Sequence, residues 1–381
     1  MLDSVTIRRR HRGNPSCELK PATRRIAAWT ASLICLAQFL VPASAAGALD
    51  AEPCVVHVGR VFAVEIYDFD SDGFLDLLVS DYVNGHGVLY GRATRTFGEM
   101  QLLHVTRHTG ESGHGAALGD LNGDGLVDAF LVYNQSREHV LHNDGVGNLV
   151  DTGQQLFAGS LWGTSVSLAD CDGDGDLDSF VTYYQHGVEL FVNDGEGQFS
   201  ASNRTLGADF ISLTPGDIDG DSDIDLVGRV DANTVCVVEN ALGTYVQRDP
   251  LHAPGCRRVL FFEANGDAQL DLLIVGDEGS TIWLGNGDGD FSRTAQTLGN
   301  ASKAAVGDVD CDGDQDLAIG ASIWLNDGAG GFKLNQSFET ELLISVSLLD
   351  LDGDQAPELI LSSIDLESGL GPLEIYWNVG D

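Results

Sequence analysis

Positive charge is what this sequence has least of. Twenty Lys and Arg stand against 58 Asp and Glu, and the formal net charge is −38. A nucleic-acid binder needs basic patches to displace counterions from phosphate, so that class is excluded. Docking on anionic lipid is disfavoured for the same reason. The usual catalytic signatures are also missing. There is no His-Glu-x-x-His, no Gly-x-Ser-x-Gly, no phosphate-binding glycine loop and no Cys-x-x-Cys. His104 and His108 lie four apart in no helical pattern and are not read as a zinc pair. No amphipathic helix is evident. What is present is an apolar fraction of 43%, enough for a sizeable core, and 47 Gly, which suit a turn-rich β protein.

Residues 1–45 are a different kind of sequence. Arg8, Arg9, Arg10, Arg12, Lys20, Arg24 and Arg25 precede an apolar run from Ile26 to Val41. Pro42 and the small residues Ala43, Ser44, Ala45 and Ala46 follow. This order reads as a signal peptide over 1–45. The run falls short of the ~20 apolar residues that a membrane span needs. The expectation is an exported protein, secreted or periplasmic, with no stable membrane span after signal removal. Its mature domain would occupy 46–381. That part keeps Cys54, Cys171, Cys236, Cys256 and Cys311, an odd number, so disulfides are not the main framework. A Cys236–Cys256 bridge stays open.

The acidic residues recur in one phrase, starting at Asp68, Asp120, Asp170, Asp217, Glu263, Asp308 and Asp350. Seven copies of one unit signal a solenoid or a propeller. A strand-length apolar run follows each phrase, as in Asp76–Ser80 or Asp271–Gly276. A second strand ends in an Asn/Gly turn, clearest at Asn193–Phe199 and Asn326–Phe332. Each unit therefore reads as four short strands. The last unit has only three, and Cys54–Val58 is a spare strand before the first. The predicted fold is an all-β, seven-bladed β-propeller whose N-terminal strand closes the last blade, removing exposed sheet edges.

The phrase follows D-x-[DN]-x-D-G-x-x-[DE]. Positions 1, 3 and 5 place oxygen ligands on one side of a tight loop, and position 9 adds a carboxylate. Several hard oxygen donors in flexible geometry select Ca²⁺. An EF-hand is excluded, because position 12 lies in a strand. The predicted ligands are Asp68, Asp70, Asp72 and Asp76; Asp120, Asn122, Asp124 and Asp128; and Asp170, Asp172, Asp174 and Asp178. They continue with Asp217, Asp219, Asp221 and Asp225; Asp308, Asp310, Asp312 and Asp316; and Asp350, Asp352, Asp354 and Glu358. Unit 5, with Glu263 and Ala268, departs most from the pattern and is left out. The expected load is about four to six Ca²⁺ ions.

These loops and turns resemble the FG-GAP/VCBS repeat family, which includes the integrin α-chain head and certain propeller lectins. The likeness spans essentially all of 54–381. It implies that the acidic loops lie between the first two strands of each blade, on one face. It also implies that ligand meets the opposite face. Residues placed there are Tyr82, His86, His114, Trp162, Tyr183, Tyr184 and His186, with Phe210, Arg257, Arg258 and Lys303 in loops entering first strands. Flat apolar rings beside polar donors suit sugar or protein recognition. The expected function is a secreted, non-catalytic recognition or adhesion module for glycans or cell-surface proteins. Its rivals are a polysaccharide lyase or hydrolase on a propeller body, and a structural scaffold subunit.

Overall fold

Each acidic phrase is followed by a run that is apolar at every position rather than at alternate ones. A strand reads that way when both of its faces are buried. The computed structural model shows what covers them. It describes residues 48–49, 53–93, 95–103, 112–134, 137–154, 156, 161–202, 206, 208–241, 243–340, 342–364 and 371–379. The signal-peptide segment and the His104/His108 pair lie outside the described residues.

Seven antiparallel sheets follow one another along the chain. Blade 1 is built from Val61–Tyr67, Asp76–Asp81, Gly85–Leu89 and Gln101–Leu102. Blades 2 to 6 occupy 113–151, 163–201, 212–252, 256–297 and 304–337. Blade 7 takes its three inner strands from 342–376 and its outer strand, Cys54–His57, from the other end of the fold. There Cys54 pairs with Ile375 and His57 with Pro372. The first strands of successive blades touch, and that of blade 7 meets that of blade 1, so the ring closes. No helix occurs among the described residues, and none is long and apolar enough to cross a membrane.

Seven apolar clusters hold the ring, one in each gap between blades. The second strand of each blade feeds two of them. In blade 1, Leu77 and Val79 face blade 7, while Leu78 faces blade 2. In blade 5, Leu272 and Ile274 face blade 4, while Leu273 and Val275 face blade 6. The period-2 alternation is therefore present, but both phases are apolar. Cys54, Cys171, Cys236, Cys256 and Cys311 are all free thiols, so the possible Cys236–Cys256 bridge is not formed.

The loops share one backbone shape. Position 6 is left-handed in every copy, at Gly73, Gly125, Gly175 and Gly313, and equally at Ser222, Ala268 and Gln355. The departures at units 4, 5 and 7 thus change the residue and keep the turn. Position 4 is left-handed as well, including Ser71 and Cys311. A left-handed L-residue costs roughly 1–2 kcal/mol, and the extra freedom of glycine in the unfolded chain returns about half of that. Ser222→Gly and Gln355→Gly should each raise stability by about 0.5–1 kcal/mol in urea unfolding. Unchanged midpoints would show that these turns carry no strain.

Candidate metal centres and the opposite face

The loop begins as a set of local hydrogen bonds. In units 1, 2, 3, 4, 6 and 7 the N–H of position 6 donates to the position 1 carboxylate at 2.9–3.0 Å. In all seven the position 5 carboxylate accepts the N–H of position 7 at 2.8–3.1 Å. These bonds bend the chain around its own acids.

Position 9 does something the spacing alone does not reveal. Asp76, Asp128, Asp178, Asp225, Asp271, Asp316 and Glu358 are completely buried. One oxygen of each accepts the N–H of position 2 at 2.7–3.1 Å. In the six Asp cases the other accepts an N–H at the end of the third strand, at 2.7–2.8 Å. The carboxylate therefore ties the loop to the third strand of its blade. Each oxygen keeps a second lone pair for a cation, except Asp178 Oδ2, which also accepts from the Cys171 thiol at 2.7 Å.

In five loops, three carboxylates bring oxygens within 4.8 Å of one another. These are Asp68, Asp70 and Asp76; Asp170, Asp172 and Asp178; Asp217, Asp219 and Asp225; Asp308, Asp310 and Asp316; and Asp350, Asp352 and Glu358. Such clusters are able to hold a metal ion, and an all-oxygen donor set suits calcium. Two oxygens support the fit. Asp310 Oδ1 and Glu358 Oε1 are buried with no hydrogen-bond partner. A cation between the carboxylates would satisfy both. The position 5 acids Asp72, Asp174, Asp221, Asp312 and Asp354 stand outside these triads and cap backbone N–H groups.

The second loop repeats the pattern with an amide oxygen, Asn122, at position 3 and Asp124 at position 5. Its Asp120 accepts the N–H groups of Gly123 and Gly125, as the first acids of units 3, 4 and 7 accept those of their positions 4 and 6. The fifth loop differs. Glu263 Oε1 accepts the N–H groups of Asn265, Gly266 and Asp267, and no carboxylate triad forms there. In the seventh, Arg95 reaches across from blade 1 to pair with Asp352.

Burial dominates the electrostatics. It pushes Asp76, Asp128, Asp178, Asp225 and Asp271 up to about 6, and Asp316 and Glu358 up to about 7. The accepted N–H bonds oppose the rise without cancelling it.

Three of the asparagines at the ends of third strands, Asn193, Asn326 and Asn378, are more than turn formers. The left-handed residues there are glycines, such as Gly195 and Gly197. The Asn side chain reaches the preceding blade. Asn193 Nδ2 donates to Leu121 O at 2.8 Å, Asn326 Nδ2 to Ala264 O at 3.0 Å, and Asn378 Nδ2 to Val309 O at 2.7 Å. Each acceptor is position 2 of the neighbouring acidic loop.

A repeat this regular can be compared with known families. A family model for the FG-GAP-like repeat matches residues 68–131, 120–181, 170–228 and 264–319. The chain belongs to the FG-GAP-like repeat family. No curated protein sequence matches this FG-GAP chain. Among solved structures it is similar to two crystals of BBS1N in complex with ARL6DN, one soaked with lead and one with mercury. Each comparison has a TM-score of 0.53 and covers 87% of this chain and 99% of that one, at 9% and 10% identity. At that identity the likeness concerns the fold alone.

On the opposite face of this FG-GAP propeller the predicted residues divide. Trp162 and Tyr184 are 47% and 57% exposed, and their rings stack at 5.9 Å. Tyr82 is 37% exposed and meets His114 edge-on at 5.6 Å. His186 is exposed and bonded to Glu189 at 3.0 Å. Two residues correct the expectation of exposure. Tyr183 is buried and donates its hydroxyl to Glu138, itself buried. His86 is buried between Ser80 Oγ at 3.0 Å and Val132 O at 3.1 Å. Both pack blades together. Glu138 and Phe62, which stacks on His114 at 4.7 Å, carry no motif and went unpredicted.

Two predictions follow from the buried carboxylates. Asp271→Asn, in the loop without a triad, should destabilise the fold by about 2–3 kcal/mol with or without calcium, because a buried backbone N–H loses its acceptor. Asp310→Asn should cost stability only in calcium, by no more than the ~1.4 kcal/mol that one filled site adds. Equal effects of the two in calcium-free unfolding experiments would contradict this division. Second, folded pKa values raised above an unfolded value of about 4 mean that the native state binds protons more tightly. Metal-stripped protein should therefore lose stability as pH rises from about 4.5 to 7. Calcium-loaded protein should gain it, since the cation needs ionised carboxylates. Calorimetric melting temperatures across that range, in both states, check the sign.

Proposed function

We propose that this protein is an exported, calcium-loaded propeller that recognises a glycan or a cell-surface protein on the face opposite its acidic loops and performs no chemistry. The exposed Trp162–Tyr184 pair carries the reading. Two large rings stacked on one another in solvent, where apart from Phe74 and Tyr82 the other described aromatic rings are buried or half-buried, suit the apolar face of a sugar ring. The five carboxylate triads support the calcium load. Calcium at millimolar levels, as outside cells, would fill sites with Kd near 0.1 mM and add roughly 1.4 kcal/mol for each. Export agrees with that requirement and with the signal-like sequence of residues 1–45.

A protein partner is the second reading. The neighbouring BBS1N propeller was solved with ARL6DN bound. The test is a broad glycan array probed with the chain in millimolar calcium. Binding to a defined sugar set is expected, with at least a tenfold loss in Trp162→Ala and Tyr184→Ala at unchanged melting temperature. A blank array from folded protein would overturn glycan recognition and favour the protein partner. Product release from any array sugar would overturn the non-catalytic reading.

A further inference from the structure

Five of the seven blades carry a β-bulge at one position, six residues before the first acid of the loop. The bulged residues are Phe62, His114, Thr164, Arg257 and Ile344. A bulge re-aims a side chain and is concentrated beside functional sites. All five lie where the first strands enter from the face opposite the acidic loops, around the central axis.

The charges at that mouth are unlike the rest of the molecule. Arg258 of blade 5 and Lys303 of blade 6 hold equivalent places in adjacent blades, each five residues before the first acid of its loop. Burial, and then the charge of Arg258, lowers Lys303; burial, and then Lys303, lowers His114 of blade 2. Blades 2 and 6 are not neighbours in the ring, so that influence runs across the axis. Arg258 likewise feels Glu65 of blade 1. Arg258 as a whole residue is exposed, while lost hydration lowers its pKa. Neither cation makes an ion pair among the described residues. Glu65, the acid that faces Arg258, is pushed up to about 8 by burial, against the opposing pull of the Arg258 charge. Beside them Phe62, Tyr82 and His114 form one aromatic wall, and His114 Nε2 is buried without a partner. Two adjacent unpaired cations in a chain of net charge −38 call for an anion.

We propose that the channel mouth binds the carboxylate or sulfate group of an acidic polysaccharide, with Arg258 and Lys303 taking the charge and the Phe62–His114 wall packing the sugar. This rests on the glycan reading above and names its chemical class. A polysaccharide fits better than an acidic peptide, because blade 3 beside His114 offers the Trp162–Tyr184 rings for further sugar units.

The calcium-loaded full chain is titrated with polygalacturonate, dextran sulfate and uncharged dextran at 0.15 M salt. The acidic polymers should bind at least tenfold more tightly than dextran. Arg258→Gln with Lys303→Gln should remove that preference at unchanged melting temperature, whereas Lys333→Gln on the far blade edge should not. Should the double variant fail to fold, Lys303→Gln alone and competition by inorganic sulfate provide the readout, and each should weaken binding. Acidic binding that survives these changes reflects bridging by loop calcium and overturns the proposal. If dextran binds and acidic polymers do not, glycan recognition stands and this inference falls. If no glycan binds, both fall.

Discussion

The whole acidic face depends on one buried carboxylate per blade. It accepts a backbone N–H from the loop that precedes it and, in six blades, another from the end of the third strand. An ionised acid without an ion partner is costly to bury, and its raised pKa records that cost. Accepted hydrogen bonds offset part of the lost hydration, and a cation would offset more where the triad is complete. Loop shape, strand order and metal affinity are thus three readings of the same side chain. The seventh blade shows the limit. Glu358 keeps the loop bond, but its other oxygen is without a hydrogen-bond partner, and the Asn378 amide only helps to lower its pKa.

How much was legible in the sequence follows from how local each requirement is. The seven units were legible because acids at fixed spacing in a tight loop leave a strict pattern. The closing role of Cys54–His57 was legible as a strand without a partner beside a blade short of one. The double duty of position 9 was not, because a metal ligand and an acceptor for backbone N–H groups call for the same residue. Asn193 and Asn326 hid in the same way, since a turn former and a clamp between blades look alike in sequence. Tyr183 ends a strand and Tyr184 opens the turn after it; the first packs into the core and the second stays in solvent. Which of the two goes inward depends on a neighbouring blade that no local pattern contains. The bulges were invisible because residues as different as Phe62, His114 and Thr164 occupy them.

The two faces also divide the charge. Acids gather at the loops, in clusters able to hold a metal ion. The exposed aromatics and the Arg258–Lys303 pair lie on the other side. The separation arises from chain direction: every first strand runs from the aromatic face to the acidic one, so whatever precedes a first strand collects at one end and whatever follows it at the other. Repetition with fixed direction is enough to make the molecule polar.

The pairing of Cys54–His57 with Pro372–Tyr376 bears on the order of folding. Six blades draw all their strands from adjacent sequence and are able to form as the chain emerges from the ribosome. The seventh needs partners from opposite ends of the fold, so the largest loop closure comes last. Until then blade 7 exposes a free edge and the early strand waits unpaired, which makes that late species the one most exposed to aggregation. The same joint sets the unfolding route. Releasing a single outer strand unlatches the ring without first breaking any other blade, so resistance to unfolding concentrates in the few residues of that strand.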